Sequence, residues 1–232
     1  MGGYTGDFAL VCEGVTDHAV LKNILLGYFK NQPRAPRITQ KQPDSDATGE
    51  AAWQQFGNWE NVFRYIREGL HREALQFNEF LVVQVDSDDS EHVNFGVPQQ
   101  HAGQPHPPEV MVRLVAARLG ELFGDEDLVA YEGRLIFAIC VRSIECWLLP
   151  LWETDNKAAK TAGCLHTLNA ALARKNEPTI NPNDKKVPPY DNASRGYRQR
   201  PVLLAEGAKN PSLAVFLAEL NARAITLSSD RE

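Results

Sequence analysis

No apolar run in this 232-residue chain approaches the roughly 20 residues that a membrane-spanning helix needs. The opening segment MGGYTGDFALVC holds only five consecutive apolar residues, after an aspartate, too few for the apolar centre of a secretory signal. A cytoplasmic protein with no membrane partner is therefore expected. Cysteine is scarce as well. Cys12, Cys140, Cys146 and Cys164 are the four present, and none of them forms a C-x-x-C pair. A chain of this length buries a full core without covalent staples, so the expectation is four reduced thiols acting as small buried hydrophobes. A zinc site from Cys140, Cys146, Cys164 and His166 finds no support in that spacing.

An excess of positive charge is missing too. With 24 basic and 30 acidic residues the chain carries −6, which excludes a broad electropositive surface for nucleic acid but leaves room for a local one. Charge is uneven: from Arg174 to Lys209 eight basic residues face four acidic ones, 8 − 4 = +4, so the remainder carries −10. Internal repeats, low-complexity tracts and a G-x-x-x-x-G-K phosphate loop are absent. What is present, 43% hydrophobic and 23% charged residues, describes one ordinary globular domain or one domain with an appendage.

Three short apolar runs read as buried strands: Phe8 to Cys12, Phe80 to Val85 and Leu135 to Val141. Each precedes helical periodicity. Ala19, Val20, Ile24 and Leu25 mark a helix that Thr16 or Asp17 can cap, reaching about Lys30. Trp59 to Leu75 reads as one helix with Val62, Ile66 and Leu70 on a face, Val110 to Phe123 as another, and Ile144 to Leu149 as a short one. Strands alternating with helices predict an α/β fold: a Rossmann-like parallel sheet with helices on both faces. Residues 31 to 58, with three prolines and little periodicity, read as a long loop insertion in a domain spanning 1–150. Residues 151–232 read as a mainly helical, locally basic extension with helices near Leu165 to Arg174 and Ser212 to Asn221. The tail SSDRE is expected to fray.

In a parallel sheet, ligands bind beyond the carboxyl ends of the strands. All three runs deliver acids there. Glu13 follows the first, Asp86 and Asp88 the second, Glu145 the third, and Asp17 lies one turn beyond Glu13. Asp86 and Asp88 share a face if strand geometry persists, and Ser143 and Glu145 have the same spacing. Carboxylates without His or Cys companions form a hard oxygen site suited to Mg²⁺ or Mn²⁺. The plain alternative for each acid is a helix cap or a solvated loop residue, and Asp44, Asp46 and Asp89 stay in that class. Ser143 and Asp17 can likewise be caps.

The order of these residues resembles a known family. LVCEGVTDHAVLKNIL, then VVQVDSDD, then VRSIECWLL is similar to the Toprim catalytic domain over roughly residues 7 to 150, in the S-x-E version of the OLD (overcoming lysogenisation defect) nucleases and small stand-alone Toprim-like proteins. The resemblance implies that Glu13, Asp17, Asp86, Asp88 and Glu145 bind divalent metal, that Glu13 also serves in acid/base chemistry, and that Ser143 orients the site. It also implies a downstream catalytic lysine, for which Lys185 or Lys186 is the nearest candidate, with Lys186 taken. The insertion at 31–58 and the missing ATPase domain depart from full-length OLD proteins.

His101 and His106 read as solvent-exposed, and Trp147, Trp152 and Phe137 as core. Lys185, Arg195, Arg198 and Arg200, interleaved with Tyr190 and Tyr197, are candidate nucleic-acid contacts. The expected function is a metal-dependent endonuclease on DNA or RNA, an antiphage effector working with a separately encoded ATPase. Its rivals are a non-catalytic Toprim-fold nucleic-acid-binding or regulatory subunit, and another Mg²⁺-dependent phosphoryl-transfer enzyme.

Overall fold

The computed structural model describes residues 4–42 and 58–228. Three of the strands lie where the apolar runs put them: β1 (Gly6–Val11), β3 (Asn78–Asp86) and β6 (Leu135–Cys140). A fourth, β2 (Ile38–Gln42), falls inside the segment read as loop. Its sequence, ITQKQ, carries no apolar run because only one of its edges is paired and its faces are half open to water. Residues 43–57 of that segment, with Asp44 and Asp46, lie outside the described residues, as does most of the tail.

All pairings in the main sheet are parallel, in the order β2-β1-β3-β6. The side on which strands are added switches at β1, with β2 on one side of it and β3 and β6 on the other. The carboxyl ends of the two central strands, β1 and β3, therefore flank the crevice where loops diverge. Two minor strands, β4 (Gln100–His101) and β5 (Gln104–Pro105), form a separate hairpin; His101 on it is exposed as expected, whereas His106, just beyond it, is half-buried.

Strand alternation sorts the side chains into two cores. On one face Phe8, Leu10, Val82, Ile136 and Ala138 pack under α1 (Val15–Tyr28); on the other, Ala9, Val11, Leu81, Val83 and Val85 pack with the helices that precede and follow β3. The single helix expected over 59–75 is two: α2 (Asn58–Arg67) and α3 (Leu70–Phe77), divided at Gly69, whose φ of 72° a helix cannot hold. Helix α4 (Pro108–Ala130) extends the expected helix by a kinked turn at Gly124.

After β6 come α5 (Ile144–Trp152), α6 (Asp155–Ala158), α7 (Cys164–Arg174), α8 (Val187–Ser194), a 3₁₀ turn (Arg195–Arg198), α9 (Arg200–Gly207) and α10 (Pro211–Ala222). These helices do not form a core of their own: Leu168, Leu172, Tyr190, Leu203 and Phe216 share the core of the α1 face. Trp147 is fully buried, its indole N–H donating to Ser212 Oγ, and Trp152 donates to the Ala193 carbonyl. No helix among the described residues is long and apolar enough to cross a membrane.

The expectation of four separate thiols needs correction. Cys146 and Cys164 are joined by a disulfide, with Cα atoms 5.0 Å apart, while Cys12 and Cys140 remain free and buried. The packing of α5 beside α7 brings the pair together across 18 residues of sequence, a spacing that carries no signal by itself.

Candidate functional site

The strand-end acids meet at the crevice between β1 and β3. Glu13 leaves β1 and turns its Oε1 onto the Asp86 amide at 2.7 Å, bridging the two central strands. Asp86, the last residue of β3, accepts from Gln84 Nε2 at 2.8 Å and from the Ile144 amide at 3.2 Å, which ties it to the start of α5. Glu145, in the first turn of α5, accepts the Tyr190 hydroxyl at 2.5 Å and pairs with Lys185 at 2.9 Å. Asp17 folds back from the first turn of α1; its Oδ2 would lie 2.8 Å from a Cβ placed on Gly14, so a side chain at that position would displace the Asp17 carboxylate.

Gly14, not Thr16 or Asp17, occupies the N-cap position of α1, while Ser143 does occupy that of α5 but makes no side-chain capping bond there. Strand geometry stops at Asp86. Asp88 consequently does not share its face and stands in the following turn, exposed, with its amide bonded to the Arg142 carbonyl.

Burial and mutual repulsion dominate the electrostatics. Glu13 is pushed well above the usual carboxylate range by burial and then by Asp17, and Asp86 by burial and then by Glu13, Asp17 and Glu145. Asp17 is raised to about 7 by burial and the Glu145 charge, with Lys185 opposing. Glu145 behaves differently: burial pushes it up, but Lys185, Ser143 and Tyr190 outweigh burial and hold it below its ordinary value. The same pair, helped by Asp17 and Asp86, holds Lys185 up against burial. One cation therefore stands among four buried or nearly buried acids.

A hard divalent cation fits this donor chemistry, since every candidate ligand is a carboxylate and the self-repulsion demands positive charge. As the side chains stand, no group of three or more His, Cys, Asp or Glu among the described residues forms a ready ion site. Glu13 Oε1, both Asp86 oxygens and Glu145 Oε1 are engaged by the internal donors just named.

No family model, curated protein or solved structure matches this chain.

The lysine assignment shifts by one residue. Lys186 points away, to Asp184 at 2.8 Å, and Lys185 reaches the acids. The basic stretch is also not a row of bare cations. Arg195 and Arg198 both pair with Asp191, Arg198 further donates to Asn23 Oδ1 at 2.6 Å, and Arg200 donates to the Tyr28 carbonyl while lying over its ring. Tyr190 and Tyr197, read as possible base contacts, are fully buried; the Tyr197 hydroxyl donates to the Trp147 carbonyl. Apolar bodies with one polar tip suit that position as well as a nucleic-acid surface, and only packing distinguishes the two.

Three contributors escaped the sequence reading. Gln84 is fully buried, accepts from the Glu13 amide at 3.1 Å and donates to Asp86, clasping two strand ends. A glutamine in the apolar run FLVVQV, two residues before the aspartate, is the signal that could have found it. Tyr190 had no such signal. Arg142, between β6 and Ser143, holds φ at 72°, a conformation costly for a residue with a Cβ; the Ser87 hydroxyl accepting its amide at 2.8 Å helps keep it there.

Proposed function

We propose that this chain is a Mg²⁺- or Mn²⁺-dependent phosphodiesterase acting on nucleic acid, a Toprim-like nuclease. The observation that carries the reading is the convergence of Glu13, Asp17, Asp86 and Glu145 from three consecutive strand ends, with a single lysine among them. Glu13, Asp17, Asp86, Asp88 and Glu145 would hold the ion. Bound there, a divalent cation supplies Lewis-acid stabilisation of phosphoryl charge and a more acidic water.

The chain's own residues do the remaining work. Glu13, at the end of β1 and held against the Asp86 amide, is placed to take a proton from the attacking water and return one to the leaving oxygen. Gln84 fixes the Glu13 main chain and the Asp86 carboxylate in one orientation. Lys185, kept charged by Glu145, is placed to offset negative charge that develops on the transferred phosphoryl group. Substrate contact by Arg195 and Lys186 remains available, because both are exposed and surface ion pairs are worth only about 0–1 kcal/mol, easily exchanged for phosphate. A separately encoded ATPase as activator rests on the family resemblance alone.

The internal hydrogen bonds that engage the carboxylates favour a second reading, a Toprim-fold binding module that does not cleave. One experiment separates them. Plasmid, single-stranded DNA and total transfer RNA are incubated with wild type and Glu13→Gln in Mg²⁺ and in Mn²⁺. Metal-dependent cleavage lost in Glu13→Gln is expected; retention of polynucleotide without cleavage under any condition selects the binding module.

A further inference from the structure

Beside the acids lies a cleft of about 390 Å³ whose walls include Asp88, Arg142, Ser143, Glu145, His166 and Lys185, with the first turn of α7 closing one side. Two cations line it, and they differ in one respect. Lys185 is committed to Glu145. Arg142 is half-buried, yet among the described residues its guanidinium meets no carboxylate, carbonyl or ring.

In the basic stretch from 174 to 209 every arginine and lysine has a partner: Arg174 with Glu153, Lys175 over Trp152, Lys209 with Glu206, and the five others as described. Arg142 departs from that pattern at the rim of the candidate centre. Its main chain is fixed at both ends, the amide donating to Ser87 Oγ and the carbonyl accepting the Asp88 amide, so the side chain starts from a defined point. A guanidinium offers five N–H donors in a planar fork that matches two oxygens of a tetrahedral phosphate. The acids on the cleft floor repel an anion, so an approaching phosphate needs a cation whose charge is not already consumed.

We propose that this cleft is a phosphate-binding site in which Arg142 is the anchoring residue and Lys185 a shared second contact. The ligand is a phosphate group borne by a nucleotide, held beside the strand-end carboxylates; this rests on the reading that the substrate is a nucleic-acid phosphodiester. Arg142 selects phosphate through a bidentate contact, and base identity plays no part in the cleft.

Calorimetry on the full chain tests it, with thymidine 3′,5′-bisphosphate and, separately, inorganic phosphate as probes, each with and without Mg²⁺. The bisphosphate carries no internucleotide bond, so binding is read without turnover. Arg142→Asn is the main variant, because asparagine adopts positive φ more readily than arginine and the fold is kept. Arg142→Lys keeps the charge and loses the fork. Expected are nucleotide binding by the wild type, at least about a tenfold weaker Kd in Arg142→Asn, and an intermediate Kd in Arg142→Lys, as for the loss of a charge-assisted contact. Thermal unfolding of Arg142→Asn should match or exceed wild type. Tighter retention of the bisphosphate than of free phosphate identifies a nucleotide-borne group; equal affinities overturn the nucleotide assignment.

An unchanged Kd in Arg142→Asn, or no binding by the wild type up to about 5 mM, overturns the site. The two proposals fail separately. Phosphate binding that depends on Arg142 in a protein that cleaves nothing supports the site and removes the nuclease. Glu13-dependent cleavage with Kd and KM unmoved in Arg142→Asn removes the site and leaves the nuclease standing.

Discussion

Lys185 Nζ lies 2.9 Å from Glu145 Oε1, the same oxygen that accepts the Tyr190 hydroxyl, whereas its neighbour Lys186 turns to Asp184. Two adjacent lysines thus have separate roles. Removing the Lys185 charge leaves Glu145 facing Asp17 and Asp86 uncompensated. In single-turnover cleavage, Lys185→Ala is expected to lower the rate by about 10²–10³-fold, the scale for loss of one positioned electrostatic contact. Lys186→Ala is expected to stay near wild type. Equal losses in the two variants would refute the assignment.

Asp17 sets a pH dependence in the metal-free protein. Its folded value, about 7, exceeds the ordinary aspartate value of 3.8, so between those limits the native state binds the proton that the unfolded chain has released. Stability is greatest below about 4 with respect to this group and falls as pH rises through about 7. Thermal unfolding in chelator should show Tm declining over that window, with a shallower decline in Asp17→Asn. Mn²⁺ added at pH 8 should raise the wild-type Tm more than that of the variant. A flat or rising wild-type profile that Asp17→Asn leaves unchanged would contradict it.

Gln84 offers a test of the strand-end clasp. Replacement by Leu keeps the volume but leaves the Glu13 amide and an Asp86 oxygen without their partner. Each unsatisfied buried group costs about 1–3 kcal/mol, so for two groups Gln84→Leu should lose roughly 2–6 kcal/mol in urea unfolding. A loss below about 0.5 kcal/mol would mean that water replaces both bonds.

The Cys146–Cys164 bridge closes a loop of 18 residues and joins α5, which carries Glu145, to the first residue of α7. Loop-closure entropy for that length gives about 3 kcal/mol. Reductant should therefore lower the wild-type Tm by several degrees and leave Cys146→Ser/Cys164→Ser unaffected. An unfolding curve indifferent to reductant, with both thiols shown to be reduced, would discount the contribution.

What the sequence determined by itself is the order of the elements and the placement of acids at strand ends. Short continuous apolar runs such as FALVC, FLVVQV and LIFAICV, rich in β-branched and aromatic residues, read as strands covered on both faces, and an acid just after such a strand emerges at the sheet edge. That inference uses nearest neighbours along the chain, where hydrophobic periodicity is strong. It did not extend to β2, whose polar ITQKQ becomes a strand only because β1 offers an unpaired edge. Nor did it reach contacts made across the fold. Which of two lysines meets Glu145, why Tyr190 is interior, how Cys146 finds Cys164 and why the half-buried Arg142 is left beside the acids without a partner depend on how α7 and α8 fold back over the α1 face. Those choices are set by the summed burial of Leu168, Tyr190, Leu203 and Phe216 in one core, a property of the tertiary packing that no local spacing encodes.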